Sequence, residues 1–307
     1  MNGSDNGRAD SHEAAASPFV LIEPADCGVP ILLAAPHGGR SYPDELLGAM
    51  RDPRLATMRL EDRHADTLAI EVARQTSAML IYAKAPRALI DLNRSSEDVD
   101  WSMVTGGDKP RVRNSAANRR ARSGLGLVPR RLPHSGEIWK CPIERAELDR
   151  RIDTVHRPYH RAIAGALAQL RDRWGAALLL DIHSMPPLPG RHPDERGAEF
   201  VIGDRFGASC EPMLSSRAIA YFGRRERLVA HNRPYAGGFV LDSHGAPGRD
   251  IHAMQIEVCR SSYLDADFAE PSARFASVAR TLAGLVREMA DAIMEIGGQK
   301  GLPIAAE

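Results

Sequence analysis

Seven short, mostly apolar runs constrain this chain more than any other feature: residues 31–35, 79–83, 88–92, 177–182, 200–202, 228–230 and 254–258. Each is bounded by turn-forming residues, too short for a helix, and suited to a buried strand of a largely parallel or mixed sheet. Between them lie segments of helical period. The clearest places Leu148, Ile152, Val155, Tyr159, Ile163, Leu167 and Leu170 on one face, and Pro158 predicts a kink within it. Another carries Phe275, Val278, Leu282, Leu285, Met289 and Ile293, with Gly297-Gly298 as its expected stop. Alternating strands and helices predict an α/β architecture, a mixed central sheet flanked by helices. The expected organisation is one domain over 18–296 between a disordered tail, 1–17, and a C-terminal tail, 297–307.

Charge narrows the function. Forty basic residues balance forty acidic ones, so no global field gathers a polyanion. The basic stretch RVRNSAANRRAR lacks interleaved aromatics, and no nucleic-acid partner is expected. Cys27, Cys141, Cys210 and Cys259 are dispersed without CxxC spacing and read as buried free thiols of a reducing compartment. No signal peptide or stretch of roughly 20 apolar residues stands out, so the expectation is a soluble, cytoplasmic protein with no membrane partner. The stretch 106–142, rich in Gly, Arg and Pro, shows no period and predicts a long functional or mobile loop.

Three strand ends run directly into polar residues, which is where sites form in an open α/β sheet. ILLAAPHGGR presents His37 before a glycine pair, LLLDIHSMPP presents Asp181 and His183 on one side of an extended chain, and MQIEVCRSSY sets Glu257 between Ile256 and Val258. A carboxylate in an apolar strand is costly unless employed. Two imidazoles and one carboxylate around Zn2+ are a standard hydrolytic set. LEDRHADTLA offers Glu61, Asp62 and Asp66 as the acid, with Asp62 and Asp66 one helical turn apart. LIDLNRSSED offers Asn93 and Arg94 to grip a carboxylate, against a surface ion pair of Arg94 with Glu97 or Asp98. HNRPYAGGFV adds Tyr235, against a plain turn. Ser184 beside His183 has no GxSxG elbow and is set aside as a nucleophile.

PHGGRSYPDEL, EDRHADTLA, LIDLNRSSED, GLGLVPRRLPHSGEIW, LLLDIHSMPP, FVIGDRFGASC, NRPYAGGF and QIEVCRSSYLD, in this order, resemble the N-formylglutamate amidohydrolases over nearly all of the chain from Phe19 to Ile296. The resemblance implies a zinc carboxypeptidase-like fold, of the phosphorylase/hydrolase-like kind, with His37 and His183 as zinc ligands and Glu257 as the catalytic glutamate. Carboxypeptidases have HxxE where this chain has Arg40 three residues after His37. The carboxylate ligand is therefore expected to be Asp66, the acid directly before the apolar helix. Asn93 and Arg94 resemble the pair that binds a substrate carboxylate, and Arg260 is expected at the oxyanion or a second carboxylate. The activity implied is hydrolysis of N-formyl-L-glutamate to formate and glutamate, late in histidine breakdown. The alternatives are a deacylase or peptidase for another N-acyl amino acid, and a metal-free protein that binds a small carboxylate.

Overall fold

The computed structural model describes residues 17–107, 121, 123–132, 135–190, 192 and 195–299. Residues 1–16 and 300–307 of the expected tails and most of the basic stretch 111–122 lie outside these residues, whereas 297–299 of the expected C-terminal tail are helical. Six of the seven apolar runs form strands, and a seventh strand precedes them. They are β1 (Phe19–Ile22), β2 (Ile31–Ala35), β3 (Met79–Ala83), β4 (Ala177–Met185), β5 (Phe200–Gly203), β6 (Val229–His231) and β7 (Ile251–Cys259). Their order across the sheet is β1-β3-β2-β4-β7-β5-β6. The pairs β3/β2, β2/β4, β4/β7 and β5/β6 are parallel, whereas β1/β3 and β7/β5 are antiparallel, so the sheet is mixed as expected.

The run 88–92 is a correction. It forms no strand but a buried irregular loop, with Ala88, Ile90 and Leu92 almost wholly inside. Apolar side chains alone cannot distinguish a strand from a loop folded into the core.

Helices α1 (Asp44–Ala49), α2 (Pro53–Leu60), α3 (Ala65–Thr76), α4 (Arg145–Arg151), α5 (Arg157–Trp174), α6 (Pro212–Gly223), α7 (Phe239–His244), α8 (Arg260–Tyr263) and α9 (Phe275–Gln299) lie among the described residues, with short 3₁₀ turns and two-residue ladders. One face of the sheet, with Leu80, Leu178, Leu180, Ile182, Met254 and Ile256, packs on α3, α6 and α9. The other face, with Leu32, Ala34, Ile81 and Leu179, packs on Tyr159, Ile163, Leu167 and Leu170 of α5. Burying each of these large side chains contributes about 1.5–3 kcal/mol, which makes the sheet a rigid platform.

Two helical expectations change in detail. The kink predicted at Pro158 is a π-helical turn, Ile152–His156, joining α4 to α5. There Arg157 N–H donates to Ile152 O, five residues back, and Pro158 in the next turn has no N–H to give. Gly297-Gly298 does not stop α9, which continues to Gln299. A Cβ at Gly297 would lie 2.2 Å from Trp174 O, so this glycine serves close packing against the end of α5.

Within 106–142, the described residues include a hairpin, Arg131–Leu132 with Gly136–Glu137. The four cysteines form no disulfide; Cys27, Cys210 and Cys259 are buried as expected, while Cys141 is exposed. No helix among the described residues is long and apolar enough to cross a membrane.

Candidate functional site

The central strands carry the site because their side-chain pattern changes chemistry along one face. Residues alternate across a strand, so 179, 181 and 183 share a face, as do 253, 255 and 257. In register, Leu179 lies beside Ala253, Asp181 beside Gln255, and His183 beside Glu257. On this face each strand thus turns from apolar to polar, before closing on a small apolar cluster at Met185 and Cys259. β4 continues through His183 to Met185 and does not end at 182 as expected, so the imidazole is held by the ladder itself. His37 sits two residues beyond β2, and Asp62 N–H donates to His37 O at 3.1 Å, tying the loop between α2 and α3 to the end of that strand.

His37, Asp62 and His183 are all buried and offer ligand atoms within 4.8 Å of one another. His37 Nδ1 lies 3.4 Å and His183 Nδ1 3.0 Å from Asp62 Oδ2. Ligand atoms sharing a tetrahedral ion at about 2.1 Å stand about 3.4 Å apart, so the spacing suits one small divalent cation. Each Nε2 faces a different carboxylate: His37 Nε2 is 2.7 Å from Asp91 Oδ1, and His183 Nε2 is 2.8 Å from Asp181 Oδ2. An N–H held in this way fixes the tautomer and leaves Nδ1 as the lone-pair donor. His37 Nδ1 is buried without a hydrogen-bond partner, so its lone pair could serve a cation.

The electrostatics are those of a tightly coupled group. Burial pushes the Asp62 carboxyl up, but the hydrogen bond with His183 and the charge of both imidazoles outweigh it and hold it well below the usual range. At Asp91 burial is likewise outweighed, by Arg87 first and then His37. For His183, burial opposes the charged form, and Asp181 with Asp62 reverses the sign to raise it well above its usual value. Glu257 goes the other way. Burial, helped by Asp62 and Asp181, pushes it up to about 7.

The expected ligand Asp66 is not the acid that the structure brings to the imidazoles. α3 begins only at Ala65, so Asp62 lies in the preceding loop and the two acids do not share a helical face. Arg40 takes Asp66 in a two-pronged contact, 2.9 Å at each oxygen. The residue that departs from the HxxE pattern is the one that draws Asp66 away.

The other expected residues line one cavity of about 500 Å³ with the cluster: Asn93, Arg94, Tyr235, Glu257 and Arg260. Asn93 Nδ2 lies 3.4 Å from His183 Nε2, and its Oδ1 accepts from Val240 N at 2.9 Å. Arg94 is aimed by donation from Nε to Leu125 O and from Nη1 to Asn93 O, both 2.9 Å. His156, displaced by the π-helical turn, sits 2.8 Å from Arg94 O. Tyr235 is half-buried, and burial raises its phenol. Arg260 directs its nitrogens to Ser184 Oγ at 3.1 Å, Glu61 O at 2.6 Å and Asp62 Oδ1 at 3.4 Å. None of its contacts is with Glu257, whose Oε1 accepts from Gln255 Nε2 at 2.9 Å.

Sequence reasoning assigned no role to Asp91, Asp181 or Gln255. Asp181 was visible as the i−2 neighbour of His183 on an extended chain. Asp91 had no such signal, because its partner lies 54 residues away.

Residues 29–264 match the family model described as N-formylglutamate amidohydrolase. The chain is 29% identical over 279 residues to the N-formylglutamate deformylase of Pseudomonas aeruginosa, spanning 89% of this chain and 95% of that protein. The Pseudomonas putida N-formylglutamate deformylase is 27% identical over the same shares. The crystal structure of N-formylglutamate amidohydrolase from Ralstonia eutropha superposes with a TM-score of 0.80 at 30% identity, covering 93% of this chain and all of that one.

Proposed function

This chain belongs to the N-formylglutamate amidohydrolase family, and from that premise we propose that it hydrolyses N-formyl-L-glutamate to formate and glutamate with one Zn2+ held by His37, Asp62 and His183. The observation that carries the proposal is the buried two-imidazole, one-carboxylate cluster beside Glu257 on the neighbouring strand. Zinc bound there would supply an acidified water, with a pKa near ~7, and polarise the formyl carbonyl.

The chain's own residues supply the rest. Asp91 and Asp181 hold the Nε2 protons, which keeps both Nδ1 lone pairs on the cluster. Glu257, pushed up to about 7, takes a proton from the attacking water near neutrality and returns it to the departing amine nitrogen. Glu257 is itself buried, 7% exposed, which limits the bulk water that competes for that proton. Asn93 and Arg94 orient the substrate through a carboxylate, since the cavity wall presents their donors beside the cluster. Arg260 braces Asp62 and Ser184 and acts on the reaction through them.

Formate release from N-formyl-L-glutamate and from a panel of other N-acyl amino acids, with metal content measured on the same preparation, tests this. Zinc-dependent turnover with the formyl substrate preferred supports it. Stoichiometric zinc with preference for another acyl group would replace the substrate, and carboxylate binding without metal or turnover would replace catalysis altogether. The reaction is placed late in histidine breakdown only as part of this proposal.

A further inference from the structure

The cavity is lined by four arginines, Arg59, Arg87, Arg94 and Arg260, against two carboxylates, Asp62 and Glu257. That balance suits an anionic ligand only if the guanidiniums are available to it. Arg87 is engaged by Asp91 at 2.8 Å, and Arg260 by Ser184, Glu61 and Asp62. Arg94 points two of its nitrogens at main-chain carbonyls. Arg59 is different. It is exposed, and among the described residues no hydrogen bond or ion pair engages it.

Its backbone is nonetheless well placed. Arg59 lies in the last turn of α2, whose end is fastened by Leu60, 3% exposed and packed with Leu46, Met50 and Ala56. Three residues later the chain reaches Asp62, so the Cα atoms of Arg59 and Asp62 are at most about 11 Å apart. Arg59 lines the same cavity as His37, Asp62 and His183, which places its guanidinium beside any group held at the cluster.

We propose that Arg59 is the specificity-determining residue that grips the second carboxylate of the substrate, so that the site selects N-acyl amino acids with an acidic side chain over neutral ones. This rests on the acidic substrate proposed above. Asn93 and Arg94 in the wall hold one carboxylate, and Arg59 at the rim holds the other. The bland alternative is a solvated surface cation, whose removal leaves selectivity unchanged.

The test compares wild type with Arg59→Gln and Arg59→Lys by two readouts. The first is the ratio of kcat/KM for N-formyl-L-glutamate over N-formyl-L-glutamine, a substrate of the same shape with a neutral side chain. The second is the Kd of glutarate, a dicarboxylate, against that of butyrate, which has a single carboxylate. A charged hydrogen-bonded contact predicts a fall in the kinetic ratio of about 10-fold or more in Arg59→Gln, with glutarate weakened similarly relative to butyrate. Arg59→Lys should recover part of each, because charge survives without the fork. Unchanged ratios in both readouts overturn the proposal even where formate is released. If wild type releases no formate from formylglutamate yet Arg59→Gln still loses glutarate selectively, the proposed activity falls and the role of Arg59 stands.

Discussion

Gly238→Ala probes the carboxylate anchor proposed at Asn93 and Arg94 without touching any charged group. Gly238 has φ −131° and ψ −152°, an extended conformation that alanine also adopts, so the perturbation is steric. A Cβ built there lies 2.5 Å from Asn93 Oδ1 and 2.8 Å from both Cγ and Nδ2. Regaining an ordinary 3.4 Å contact requires the amide to retreat by about 0.9 Å. Asn93 is buried, accepts from Val240 N, and has its own carbonyl bonded to Arg94, so it cannot swing aside alone. A misplacement of about 1 Å can cost about 10²-fold, so kcat/KM for N-formyl-L-glutamate should fall about 10- to 100-fold. Zinc content should hold, because the imidazoles and Asp62 are untouched. In an Asn93→Ala background the clash partner is gone, and Gly238→Ala should cost no more than about 2-fold further. Single-variant kinetics within about 2-fold of wild type, at equal zinc content, would refute the role given to Asn93.

Glu257→Gln keeps the shape and the acceptor for Gln255 but cannot take a proton; kcat should fall by about 10²- to 10⁴-fold with the Tm and zinc content retained, and a zinc-loaded variant with near-normal kcat removes Glu257 from the mechanism. Arg94→Lys should impair turnover with the metal retained, since an ammonium cannot reproduce a two-pronged grip; wild-type kinetics would place the anchor elsewhere. Burial lowers His244 to about 4, whereas an unfolded histidine titrates near ~6.5, so between these values only the unfolded chain gains the proton and stability falls with pH, by on the order of 3 kcal/mol at the acid end. His244→Gln should flatten the decline of Tm from pH 7 to pH 5, and an unchanged slope would assign the acid lability to other groups.

Local pattern made the sheet legible where a strand is short, apolar and isolated: β2 and β3 have the expected ends residue for residue. It failed at 88–92, where a core-facing loop carries the same composition; it shortened β4, where buried His183 and Ser184 resemble a strand end, and it began β7 three residues late, at 254 instead of Ile251, beyond the buried His252. In β4 those polar residues, His183 and Ser184, line the site's cavity. His37, His183 and Glu257 were readable because each interrupts an apolar run. The choice between Asp62 and Asp66 was not readable, since both neighbour the same helix and the deciding contact, Arg40 with Asp66, spans 26 residues. Asp91 and Arg59 were missed for a similar reason: their significance comes from which cavity wall or imidazole they meet, and no local spacing encodes that.

The most direct test of the metal centre is the zinc content per chain of Asp62→Asn and Asp66→Asn, purified in parallel with wild type and dialysed against a weak chelator. With His37, Asp62 and His183 as ligands, Asp62→Asn should lose the metal. Asp66→Asn should retain about one equivalent per chain and lose only its contact with Arg40. Zinc retained in Asp62→Asn and lost in Asp66→Asn would contradict the assignment.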